Sequence, residues 1–136
     1  MERIRQKIGN IKLYLSYIED LAKDCDRRIN HDVVYRGALL YYLYLMADTC
    51  ISLAEIVIKY RDLRPPQSYS DAFDVLGEHE ILEKEFAYSF AKIAGFRNLL
   101  AHDYEKINTA KICQDIMKQL PEVYSYIQQV KQALNL

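Results

Sequence analysis

Arg97, His102 and Tyr104 crowd into one short run, Phe96-Arg97-Asn98-Leu99-Leu100-Ala101-His102-Asp103-Tyr104. A histidine changes charge near neutrality and suits general acid or base work. An arginine stays cationic and can grip an anion through two parallel hydrogen bonds. A tyrosine hydroxyl can donate, accept or be modified. On one continuous helix, Arg97 and Tyr104 share a face, and Asn98 and His102 share the adjoining one. Arg97 and His102, five residues apart, differ by roughly 140° about the axis. One helix therefore presents that pair poorly at a single point, whereas a two-fold dimer can bring two copies into one cleft. The plainer reading is a helix end, with a histidine in the last turn and an arginine paired to an acid.

Other chemistries lack their residues. Gly9, Gly37, Gly77 and Gly95 form no phosphate loop and no dinucleotide fingerprint. His79-Glu80-Ile81-Leu82-Glu83 resembles a zinc helix only until its last position, which is Glu83. His31, His79 and His102 lie far apart with no cysteine at ligand spacing, so neither a metal site nor a cofactor is expected. No serine or cysteine lies in a nucleophile context. Cys25, Cys50 and Cys113 are an odd, scattered set, which reads as reduced thiols packed as small hydrophobes in a cytoplasmic protein. Lys and Arg number 18 against 19 acids, a net charge of -1 that argues against indiscriminate nucleic-acid binding. The acids between 71 and 85 form a run that suits either a solvated face or a basic partner.

The elements that must carry the run are helical throughout. Ile4, Ile8, Ile11, Leu15, Ile18 and Ala22 predict a first helix over about 2–25. Asp24–Arg28 reads as a charged turn, with Asn30 as the cap of a second helix reaching about Arg61. That helix is apolar on most sides, so it belongs at the centre of a bundle or in a dimer seam. Asp48 lies in its most apolar stretch, where an unpaired carboxylate is costly. Either Arg97 or His102 partners it, or it faces water. Tyr35, Tyr41, Tyr42 and Tyr44 crowd the same helix as core, interface or base-stacking rings. Pro65-Pro66 ends it. A short helix over Asp71–Leu76 comes next, capped by Ser68 or Ser70 and stopped by Gly77. A helix over about 83–101 carries the run. The last helix, capped by Asn108, contains Pro121, which should kink or split it. No uninterrupted apolar run reaches the roughly 18–20 residues that span a bilayer, so no membrane partner is expected, and the charged start is unlike a signal peptide. The expected fold is all-α, one up-and-down bundle over residues 1–136 with four main helices, a short accessory helix and a Pro-kinked last helix.

The order of these segments also carries a resemblance. The segments are Ala47-Asp48-Thr49-Cys50, Pro66-x-Ser68-Tyr69-x-x-Ala72-Phe73-x-x-Leu76 and Phe96-Arg97-Asn98-Leu99-Leu100-Ala101-His102-x-Tyr104-x-x-Ile107. Together they resemble the HEPN domain family in its HepT-like form, with Arg97-x4-His102-x-Tyr104 standing as the family's motif. The resemblance implies a homodimer with facing motifs and a metal-independent endoribonuclease toxin of a type VII toxin–antitoxin pair. It implies Arg97 and His102 as catalytic residues on an RNA substrate, with Asn98 and Asp48 auxiliary. It also implies an MNT nucleotidyltransferase antitoxin that transfers AMP to Tyr104. The other implied reading is a non-catalytic HEPN subunit that helps a nucleotidyltransferase hold its substrate.

Overall fold

The computed structural model describes residues 1–136 and contains helices and turns but no strand. The helices are α1 (Glu2–Ala22), α2 (Cys25–Arg28), α3 (Val33–Tyr60), α4 (Tyr69–Glu78), α5 (Lys84–Phe90), α6 (Ile93–His102) and α7 (Thr109–Leu134), with a 3-10 turn at Tyr104–Lys106. Ile4, Ile8, Ile11, Leu15 and Ile18 lay one buried stripe of α1 along α3. Helix α3 buries 13 residues on nearly every side, because α1, α4 and α6 all pack on it. By length and composition α3 is apolar enough to cross a bilayer, contrary to the sequence-based expectation that no segment is. Its place at the centre of the bundle accounts for that composition.

A second focus of packing joins α4, α5 and α7. Tyr126 is fully buried, with its ring against Phe73 and Phe90 and its hydroxyl donating to the Cys50 carbonyl at 2.8 Å. A Tyr126 hydroxyl left without that acceptor would be costly at such depth, so the bond fixes the register of α7 against α3.

Several local expectations change. Asp24–Arg28 is largely a turn of helix, and the α3 cap is Asp32, whose carboxylate accepts from the Tyr35 amide at 3.0 Å. Asn30 instead accepts from the Thr109 hydroxyl at 2.6 Å. Gly77 does not stop α4, which continues to Glu78. A Cβ at Gly77 would lie 2.9 Å from the Ala87 Cβ, so the glycine serves the close approach of α5. The stretch 83–101 is two helices, because the chain tightens at Ala91-Lys92 into bonds reaching back three residues, such as Ala94 to Ala91. Pro121 does not split α7. It lies on the exposed side, where water can serve the carbonyl that its missing N–H leaves free.

The cysteines are the largest correction. Cys25 and Cys113, 88 residues apart, form a disulfide, leaving only Cys50 free. Distance along the chain concealed that α2 lies against the start of α7. Burial pushes the Cys50 thiol up, well out of the reactive range.

Candidate active site

The run from Phe96 to Tyr104 closes α6 and enters the 3-10 turn, so the helix is not continuous through Tyr104. It lies against the N-terminal half of α3. Between them is a cleft of about 460 Å³ lined by Tyr41, Tyr44, Arg97, Leu100, His102 and Tyr104 among others. Arg97, His102 and Tyr104 thus share one wall within a single protomer. The long arginine side chain reaches round the helix toward α3, which offsets the angular separation of residues 97 and 102.

Arg97 is held from four directions. Its Nε donates to Asp48 Oδ1 at 3.0 Å, and its Nη1 donates to Asn98 Oδ1 at 3.2 Å. Its guanidinium carbon lies 5.4 Å from the Tyr44 ring centre and 5.2 Å from that of Tyr69, both within cation–π range. Burial alone would lower the Arg97 pKa. The hydrogen bond to Asp48 and the neighbouring charges outweigh it and hold the guanidinium above its ordinary range, so the group is a fixed cation. The side chain is 15% exposed and that of Asp48 40%, so the pair is screened from water on the arginine side and open on the carboxylate side. Two of the guanidinium's five N–H donors are used, leaving three for an anion in the cleft.

His102 and Tyr104 are exposed, and neither side chain makes a hydrogen bond within the protomer. Asn98 is exposed beside them, its carbonyl oxygen turned to Arg97. The cleft therefore holds a fixed cation, a titratable imidazole and a free phenol. That set can bind a phosphate and move a proton to or from its neighbour. The roles of Tyr44 and Tyr69 against Arg97 were not readable from the sequence. Tyr69 belongs to a recognisable segment, but nothing in its spacing says that α4 brings it to α6.

A sequence profile described as Ribonuclease HepT-like matches residues 11–130. This chain belongs to that family. Among its HepT-like relatives, an mRNA nuclease HepT from Shewanella oneidensis is 23% identical over 128 residues, covering 94% of this chain and 96% of that protein. A tRNA nuclease HepT from Aphanizomenon flos-aquae is 29% identical over 94 residues, 68% of this chain and 63% of that protein. The fold matches a tri-AMPylated Shewanella oneidensis HEPN toxin solved in complex with an MNT antitoxin. That match has a TM-score of 0.86 at 23% identity and covers 95% and 96% of the two chains. It also matches YutE from Bacillus subtilis, a cytosolic protein of unknown function, with a TM-score of 0.82 at 15% identity over 98% and 89%. At these identities the structural matches establish the HEPN all-α fold, and the profile establishes the HepT-like ribonuclease family.

Proposed function

We propose that this HepT-like chain is a metal-independent endoribonuclease, the toxin of a toxin–antitoxin pair, acting in the cytoplasm as a homodimer of one-domain protomers. The observation that carries the reading is the contrast within the cleft: Arg97 is fixed by Asp48 as a half-buried cation, while His102 and Tyr104 stand free beside it. In the reaction a ribose 2′-oxygen attacks the adjacent phosphorus, the P–O5′ bond breaks, and a 2′,3′-cyclic phosphate and a 5′-hydroxyl result. His102 takes the proton from the 2′-hydroxyl or gives one to the leaving oxygen, and two protomers supply an imidazole for each task. The three free N–H donors of Arg97 stabilise charge on the phosphoryl oxygens. Asp48 and Asn98 position Arg97. Tyr41, which lines the cleft, and Val33 and Val34 in the first turn of the same helix are exposed apolar side chains, which suits a second copy packing on this part of α3.

Tyr104 is the proposed acceptor for AMP from an MNT-type nucleotidyltransferase partner. Its phenolic oxygen attacks the α-phosphorus of ATP, pyrophosphate leaves, and the phenolic proton passes to a base. Each AMP places a negative phosphate and considerable bulk at the cleft wall, which repels and blocks RNA. The relatives' activities and the antitoxin complex support this reading by family.

The test is cleavage of total cellular RNA by purified, unmodified protein in excess EDTA, beside Arg97→Ala and His102→Ala. Cleavage by the parent alone is expected. No cleavage by any of the three folded proteins would instead favour a non-catalytic partner subunit of a nucleotidyltransferase. An intact mass raised by whole AMP units after incubation with the partner and ATP, and not raised for Tyr104→Phe, is expected for the modification.

A further inference from the structure

Arg97 does not border the motif cleft alone. Tyr69, whose ring lies 5.2 Å from the Arg97 guanidinium, also lines a second hollow of about 500 Å³, together with Glu55, Gln67, Ser68, Ala94 and Asn98; the Glu55 carboxylate disfavours a phosphate there but not a neutral group. Tyr69 and Asn98 line the hollow and each touches Arg97, which lines the motif cleft, so the two spaces are joined through the Arg97 contacts. The Asn98 amide oxygen is occupied by Arg97 Nη1 at 3.2 Å, which leaves its NH2 group, two donors, for another partner. Tyr69 is 42% exposed, so part of its ring remains available.

The ledge that carries Tyr69 is built, not loose. Tyr69 is the first residue of α4, directly after the cap Ser68, whose hydroxyl accepts from the Asp71 amide at 3.0 Å. Arg64 binds Asp71 at 2.8 and 3.1 Å and Glu78 at 2.7 and 3.0 Å, joining the incoming loop to both ends of α4. Asp71 also accepts from the Gln67 amide at 2.9 Å. Isolated surface ion pairs contribute little, but a bidentate network with two carboxylates fixes geometry.

We propose that the hollow beside Arg97, walled by Tyr69 and Asn98, is a subsite for one unpaired nucleobase of the RNA substrate. It would seat the base next to the phosphate that Arg97 holds, stacking it on Tyr69 and reading its edge with the Asn98 amide. The inference rests on the ribonuclease reading of the motif cleft. An aromatic ring beside a phosphate-binding cation is the arrangement that takes single-stranded nucleic acid, because every base offers a face to stack. The amide donors favour a base presenting an acceptor edge, so the site would impose a preference on the residue flanking the cut.

The experiment has two readings. In the first, parent, Tyr69→Phe and Tyr69→Ala proteins cut a pool of short RNAs randomised around the cleavage site. Tyr69→Phe is expected to keep the base preference. Tyr69→Ala is expected to flatten it and raise KM about tenfold or more, with kcat changed far less, stacking on one aromatic being the interaction lost. A drop in kcat at unchanged KM and unchanged preference would make Tyr69 a mere prop for Arg97 and overturn the subsite. In the second reading, a single-stranded RNA carrying 5-bromouridine is photocrosslinked to His102→Ala protein. A crosslink at Tyr69 is expected. If it forms although the parent cuts no RNA, the nuclease reading fails and the subsite stands. If the parent cuts RNA yet no crosslink reaches the hollow and Tyr69→Ala keeps its preference, the subsite fails alone.

Discussion

The two ends of the motif run are built in opposite ways. At its start, Arg97 is clamped by Asp48, Asn98, Tyr44 and Tyr69 and is largely withdrawn from water. At its end, His102 and Tyr104 project from the last turn of α6 and the adjoining 3-10 turn without a partner. Under the proposed reaction, the difference teaches that one protomer preassembles only the anion-holding part of the site. A cation whose position must be fixed before reaction gains from being held against the packed helices. The proposed proton carrier and modifiable phenol would instead meet a substrate or a partner, and an exposed helix end permits that.

This comparison predicts different penalties at the two ends. His102→Ala should lower RNA cleavage about 10²–10⁴-fold, the usual worth of a positioned acid or base, while leaving the thermal midpoint within the scatter of surface substitutions. Asp48→Ala should lower both cleavage and the midpoint, because it strands the Arg97 cation in a half-buried place. Thermal unfolding of both variants beside their rates of RNA cutting checks this. Equal loss of stability in the two would erase the distinction.

A smaller effect is expected at the start of α7. Cys113 lies in that helix, which begins after the Tyr104 turn, and it is tied to Cys25. Reduction, or Cys25→Ser, should lower stability by between about 2 and 5 kcal/mol, the range for a cross-link that closes a long loop. Denaturant melts with and without dithiothreitol measure it; identical midpoints would show that the tie contributes nothing to the native state.

The smallest effect lies on the Tyr69 side of the clamp. Hydrogen bonds from Arg64 hold the Asp71 and Glu78 carboxyls below their ordinary range in the folded protein. Folding therefore gains from these groups above the ordinary carboxylate range and loses that gain as pH falls through it and below. Protection of the α4 amides, measured as exchange relative to the unfolded-chain rate at each pH, should fall on acidification before that of α3, and Arg64→Ala should remove the difference.

Helix positions were legible because apolar spacing reports burial directly, as in Ile4 through Ile18. The run Arg97–Tyr104 was legible as well, since its residue types are chemically unusual together. For Asp48 the sequence offered Arg97, His102 or water, and the structure selects Arg97. What the sequence withheld was contact with no such hint across long separations: Tyr69 with Arg97 and Cys25 with Cys113. Local rules also gave way where packing competed with them. Gly77 reads as a stop signal, yet the need to admit Ala87 at close range keeps it inside α4. Pro121 reads as a break, yet an exposed position lets α7 continue.

The Cys25–Cys113 link changes the topology of the chain. Residues 25 to 113 become a covalent ring, and both Asp48 and the whole Arg97–Tyr104 run lie on it, with the first 24 residues and the last 23 as tails. Cutting that ring once, for instance in the exposed stretch from Arg64 to Ser68, opens it without separating any piece. A protease would then leave a single species on a non-reducing gel and two fragments once the sulfurs are reduced. The clamp on Arg97 and the segment bearing Tyr104 would stay tethered even after the backbone between α3 and α4 is severed.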